Sequence, residues 1–451
     1  MFDLIVDHAW ILSSERGYEP YTGAVCVTGG RIEAVVDDED PAGAPRAGFS
    51  ASDAREYIDA RGRILLPGLV NAHCHGDMAF AKGFGDGLTL KEQIEAFAGH
   101  SWFHAYITDE DRIASRAHTY LEALLSGTTC ILENMYWSLG PRSAEIVRKA
   151  GIRAALCEDV RRDFTDPENL LPPEEMEAFA RACEADGIVP VFAGVAEEDF
   201  SPGLLAKIAE RFSALPVHTT SHVAETTWRV DNALRVMGER PVQTMDRYGL
   251  ITERYIGSHA VWLDDEDIAA LARRGASVAS TPVCELKIGD GLAPVPKLLA
   301  AGVNVALGTD GAVWDNTNDL FRQMKCMAIA HNTPNAPRQI SARQALDMAT
   351  VGGARALGLA GEIGTIEAGK AADFILIDPG RPHMQPLRPG KGGNMASAVV
   401  YCATGRDVCD VFVRGRHLVQ GGALDTPGGL DAAEVMEALR ETAERVSKAV
   451  E

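Results

Sequence analysis

The stretch Leu66-Pro67-Gly68-Leu69-Val70-Asn71-Ala72-His73-Cys74-His75 decides how this chain is read. Ile64 to Asn71 is apolar enough for a buried strand, interrupted by Pro-Gly. Side chains alternate along a strand, so His73 and His75 leave its end on one face, close enough to share a metal ion. Imidazole is a good ligand for zinc or iron. A His-x-His pair alone carries little weight; the residues downstream supply the rest.

Beyond this strand the middle of the chain alternates apolar runs with amphipathic ones. Strands are predicted at Ile64–Asn71, Thr128–Glu133, Ile152–Cys157, Val189–Gly194, Leu215–His218 running on to His222, Tyr255–His259, Ser277–Thr281 and Val303–Gly308. Helices are predicted between them, among others Asp109–Leu125, Ser143–Lys149, Leu204–Phe212, Asp264–Arg274 and Pro296–Ala301. Eight alternating units predict an α/β fold, a closed parallel (β/α)8 barrel of the TIM type. Such barrels carry their active sites at the C-terminal ends of the strands. Here those ends carry His73, His75, His222, His259 and Asp310.

The two ends of the chain read differently. Phe2–Val6, Gly23–Val27 and Arg31–Val36 near the start, and Ala372–Ile377, Ala396–Tyr401 and Val408–Val413 near the finish, read as short strands, with Pro41–Ala54 a loop. They predict a small β-sandwich built from both termini. The expected division is 1–66 and 363–425 for the sandwich, 67–362 for the barrel, and 426–451 for a helix packed on the outside.

Composition narrows the partners. The 451 residues carry a net charge of -21, which repels phosphate backbones and argues against nucleic acid. No apolar run approaches the roughly 20 residues that cross a bilayer. The N-terminus has Asp3 and Asp7 and no basic segment, unlike a signal peptide. Nine cysteines without a C-x-x-C pair fit a reducing cytoplasm. A small-molecule substrate and a homodimer are expected.

His73-Cys74-His75, Ser221-His222-Val223-Ala224-Glu225, Gly257-Ser258-His259-Ala260 and Gly308-Thr309-Asp310-Gly311 occur in that order. Gly364-Thr365-Ile366-Glu367-Ala368-Gly369-Lys370-Ala371-Ala372-Asp373 follows them. Together these motifs resemble the amidohydrolase superfamily over nearly the whole chain. The resemblance is strongest to its aminohydrolase branch of nucleoside, guanine and cytosine deaminases and triazine hydrolases. It implies that His73, His75, His222 and Asp310 ligate one divalent metal, zinc before ferrous iron. Such an ion lowers the pKa of a bound water to about 7. The resulting hydroxide would add to the C–NH2 carbon of a purine-, pterin- or triazine-like ring and release ammonia. Asp310 would take a proton from that water. Glu225 would protonate the ring nitrogen, and His259 would orient the water or stabilise charge. Chloride or alkylamine release, or amide hydrolysis, is the alternative chemistry, and a catalytically silent scaffold the alternative outside catalysis.

Binuclear members of the superfamily usually bridge their metals with a lysine at the end of strand four. Val189–Glu198 has none, which points to a single metal, with Glu197 the alternative bridge. In nucleoside-type relatives a Trp after strand one packs on the base and a later Glu holds a ribose; here Gln93 and Trp102 stand at those positions. Trp314 replaces a common Ser, and Cys284-Glu285 a common Ser-Asn pair. These departures point away from an adenosine-like nucleoside and toward a small nitrogen-rich ring. Trp314 would offer a flat wall and Glu285 a hydrogen-bond acceptor. Arg161, following strand three, would meet an anionic or carbonyl group of the substrate.

Overall fold

The computed structural model describes residues 1–38, 48–96, 106–135, 139–140, 142–162, 166–390 and 392–450. Along the described chain the strands are β1 Phe2–Ile11, β2 Tyr21–Thr28, β3 Arg31–Asp37, β4 Ala54–Asp59, β5 Ile64–Pro67 and β6 Leu69–His75. They continue with β7 Thr128–Asn134, β8 Arg153–Asp159, β9 Val189–Ala193, β10 His218–Val223, β11 Tyr255–His259 and β12 Ser277–Ser280. The last are β13 Asn304–Leu307, β14 Asp310–Gly311, β15 Phe374–Ile377, β16 Val408–Val413, β17 Arg416–Gln420 and β18 Ala423–Leu424.

These strands form two sheets. One runs β18-β17-β16-β15-β5-β1-β2-β3, with β4 also on β1. Its pairings are antiparallel except where β1 meets β4 and β5. The other is parallel and runs β13-β12-β11-β10-β9-β8-β7-β6-β14. Its outermost members, β13 and β14, are successive pieces of one segment, parted only by Gly308 and Thr309.

Two compact units emerge. Met1–Val70, Glu122–Cys130 and Asp319–Pro427 form one; Asn71–Leu121, Ile131–Asn318 and Gly428–Glu451 form the other. In the first, alternation buries both faces of the sheet. Leu4 and Val6 join Phe374, Leu376 and Phe412 on one side, while Ile5 joins Ala24 and Cys26 on the other. This unit holds strands from both ends of the chain, with β15 lying directly against β5.

Three differences from the sequence reading have physical causes. The single strand expected over Ile64–Asn71 is two: β5 belongs to the mixed sheet and β6 to the parallel one. The switch falls at Gly68, where a Cβ would lie 2.0 Å from Thr129 Oγ1. Met395–Tyr401 is a helix where a strand was expected, because a short apolar run buried on its inner side fits either form. The helix Ala432–Val450 is amphipathic as expected, but Val446 is fully buried in a cluster with Met78, Phe80, Cys284 and Trp314. It is therefore part of its unit's interior as well as of its outside. No helix among the described residues is long and apolar enough to cross a membrane.

Candidate metal centre

The parallel strands deliver their C-terminal residues to one place. His73 and His75 close β6, His222 is the last residue but one of β10, His259 ends β11 and Asp310 opens β14. Parallel register sets His222 beside Ser258 and Val223 beside His259, and Asp310 beside Cys74. The ring of His73 lies 4.9 Å from that of His75 and 5.1 Å from those of His222 and His259. Closeness here requires small neighbours: a Cβ on Gly308 would come within 2.7 Å of the His73 carbonyl. Asn71 ties β6 to the eighth strand, donating to Thr309 Oγ1 at 2.7 Å.

A backbone carbonyl chooses the tautomer of one ring. The Asn134 carbonyl accepts from His75 Nδ1 at 3.0 Å, so the lone pair of His75 is at Nε2. His73 Nδ1 is 2.9 Å from Ser258 Oγ, and His259 Nδ1 is 2.9 Å from Thr281 Oγ1. The Nε2 atoms of His73 and His259 are buried without a hydrogen-bond partner. His75 Nε2 lies 3.3 Å from His222 Nε2 and 3.4 Å from Asp310 Oδ1, and His73 Nε2 lies 3.6 Å from that same oxygen. Tetrahedral ligands 2.0–2.1 Å from zinc stand roughly 3.3 Å apart; His73, His75 and Asp310 offer donor atoms within 4.8 Å of one another, as do His73, His222 and His259.

Electrostatics agree. Burial first, then the neighbouring rings, lowers the His222 pKa, and burial takes His259 down to about 3. Both are neutral, the form in which an imidazole can ligate a metal or accept a proton. Burial alone would raise the Asp310 carboxyl, but His73, His259 and His75 hold it well below the usual range. Ala224, His259, Ala260 and Asp310 have φ of 48°, 66°, 56° and 60°. Left-handed backbone at such residues costs about 1–3 kcal/mol each and gathers at functional sites.

Glu225 starts beyond β10 and sits 3% exposed, its Oε1 3.7 Å from His259 Nε2. Burial raises its pKa well above the usual carboxyl range; Arg229 opposes this and Asp290 adds to it. Arg229 pairs with Glu225 and, through two bonds of 2.9 and 2.7 Å, with Glu198. Glu197 accepts from the Ala224 amide at 2.5 Å and so holds the segment between His222 and Glu225.

The expected substrate contacts divide. Trp314 Nε1 donates to Gln93 Oε1 at 3.0 Å, and its ring lies 5.4 Å from that of His75, so this pair walls the histidines. Glu285 and Arg161 do not offer themselves as expected. Glu285 is fully buried and accepts from Ser280 Oγ at 3.1 Å and the Thr281 amide at 2.7 Å. These bonds commit it to the turn into the helix Pro282–Lys287. Arg161 is held by Asp159 at 3.0 and 2.9 Å and by Asp199 at 2.8 Å. Trp102 lies outside the described residues. Sequence alone gives no role to three residues that the fold brings to the site, Arg229, Asp290 and Cys284. Arg229 was legible as the i+4 partner of Glu225 on one helical turn. Asp290 and Cys284, the latter with its Sγ 2.9 Å from Asp310 Oδ2, come together only through the fold.

Comparison with known proteins fits this arrangement. The sequence profile of the amidohydrolase family matches residues 64–418. A 5-methylthioadenosine/S-adenosylhomocysteine deaminase of Moorella thermoacetica is 36% identical over 94% of this chain and 97% of its own. A 5'-deoxyadenosine deaminase of Methanosarcina barkeri is 31% identical over 99% of both. An adenosine deaminase of Xanthomonas campestris, solved with bound zinc, superposes with a TM-score of 0.87 at 27% identity over 99% of both chains. The protein is a hydrolase of carbon–nitrogen bonds other than peptide bonds. The chain belongs to the amidohydrolase family.

Proposed function

We propose that this chain deaminates the adenine ring of an adenosine modified at its 5' position, releasing ammonia. The observation that carries the reading is the convergence of His73, His75, His222 and Asp310, with a buried Glu225 beside His259. Relatives covering at least 94% of the chain and named for 5'-modified adenosines direct it to that substrate. They outweigh the departures at Gln93, Cys284-Glu285 and Trp314 that pointed to a bare ring. The proposed frame is a closed (β/α)8 barrel over 67–362, with a sandwich from 1–66 and 363–425. Its support is that β13 and β14 continue one another across Gly308-Thr309.

His73, His75, His222 and Asp310 would hold one divalent ion, zinc by the match of donors and distances. When bound, that ion supplies the Lewis acidity that makes water nucleophilic at neutral pH. Asp310, kept ionised by its histidines, accepts the proton from the attacking water. Glu225, kept protonated by burial, gives its proton to the ring nitrogen beside the attacked carbon. His259 is neutral and stabilises the oxygen that gains charge. Trp314, fixed by Gln93, packs against the base.

Ammonia release from 5'-methylthioadenosine, S-adenosylhomocysteine, 5'-deoxyadenosine, adenosine, guanine, pterins and aminotriazines tests the proposal, with Glu225→Gln as control. Release from the 5'-modified adenosines, lost by about 100-fold or more in a variant that still holds metal, is expected. Release confined to pterins or triazines would overturn the substrate. No release from metal-loaded protein would overturn the reaction.

A further inference from the structure

We infer that the chain carries a second cation position beside the first, formed by His259, Cys284 and Asp310 and suited to a thiophilic divalent metal. Asp310 faces two ways. Its Oδ1 is turned to His73 and His75, at 3.6 and 3.4 Å, while its Oδ2 is 2.9 Å from Cys284 Sγ. One donor atom each from His259, Cys284 and Asp310 lies within 4.8 Å of the others, and all three residues are buried. His259 contributes the independent sign of a ligand: its Nε2 is buried and makes no hydrogen bond, while its Nδ1 is anchored on Thr281.

The chemistry of the set is distinct from that of the first site. Three imidazoles and a carboxylate accept zinc or iron without strong preference. Adding sulfur shifts preference to zinc, cadmium and cobalt, with a metal–sulfur distance near 2.3 Å for zinc. Cys284 is packed in the cluster with Met78 and Trp314, which keeps its sulfur in place. On coordination the thiol proton leaves to solvent and the thiolate takes the metal. Asp310 then bridges two cations through its two oxygens, and a bridging carboxylate offsets part of their repulsion.

Occupation of this position ties up His259 and shares Asp310, both assigned above to hydrolysis. Excess metal should therefore inhibit. That consequence rests on the proposed hydrolytic reading; the binding does not.

Metal-free protein titrated with Cd2+, followed by equilibrium dialysis and ultraviolet absorption, tests it. Two equivalents per chain are expected, with thiolate-to-cadmium absorption growing in step with one of them. Cys284→Ser and Cys284→Ala should each bind one equivalent and lose that absorption. A single equivalent in the wild-type protein overturns the inference, as does a second equivalent whose absorption survives in both variants. Turnover is read separately at one equivalent of Zn2+. Its failure there would count against the hydrolytic reading and leave the stoichiometry standing.

Discussion

At the residue scale the site is governed by where protons sit in a dry pocket. Glu197 is fully buried, and burial, opposed by Arg229, raises its carboxyl from 4.5 to about 7. A carboxyl whose folded pKa is raised adds stability below its unfolded pKa and loses it as pH climbs through the folded one. Between pH 4.5 and about 7 this group should therefore give up about 3 kcal/mol. Glu197→Gln keeps an acceptor for the Ala224 amide and removes the titration. Urea midpoints of the variant at pH 5 and pH 8 should differ by less than those of the parent; an unchanged difference would refute the assignment. Arg229 bears on activity instead. Its guanidinium favours the ionised form of Glu225, so Arg229→Met should extend the acid's protonated range. The alkaline limb of the kcat profile should then move to higher pH, at the cost of stability from leaving Glu198 unpaired. A limb that moves to lower pH would contradict the proton-donor role of Glu225.

At the element scale the strands of the parallel sheet were the most legible part. β11 spans Tyr255–His259 as read, and β7, β9 and β12 differ by a residue at one end, because apolar runs between turn residues leave little choice. His73, His75, His222, His259 and Asp310 were legible because strand ends of this architecture carry function. What escaped was set by long-range packing. Nothing in Arg55–Asp59 announces a strand, because its polar residues fit an edge as well as a turn, yet Ala54–Asp59 pairs with β1 as β4. Glu285 and Arg161 looked like substrate contacts because nothing in sequence announces that Thr281 or Asp199 will claim them. The break at Gly68 makes a prediction of its own. Gly68→Ala would drive a Cβ into the Thr129 side chain, 2.0 Å from its oxygen and 2.4 Å from its methyl. A loss of about 1–3 kcal/mol in unfolding free energy is expected. Combining it with Thr129→Gly should recover part of that loss, and a double-mutant cycle that is purely additive would exclude the clash.

At the scale of the whole molecule a bound ion is expected to hold the chain as well as serve it. The donors lie on β6, β10 and β14, and a ligand that binds only the folded state adds stability in proportion to its occupancy. Stripping the protein with a chelator should lower Tm by several degrees, and zinc should restore it. Asp310→Ala should melt where the stripped protein does and respond little to zinc. Equal Tm with and without the chelator, in protein shown to have lost its metal, would break the link between site and stability.

The two compact units interleave, changing hands after Val70, Leu121, Cys130, Asn318 and Pro427. A single genetic crossover therefore cannot exchange one of them between relatives: any one breakpoint divides at least one unit between the two parents. Diversification of such a chain should proceed by point changes around a fixed scaffold, and chimaeras with one junction should fold poorly unless their parents already share the residues that meet across it.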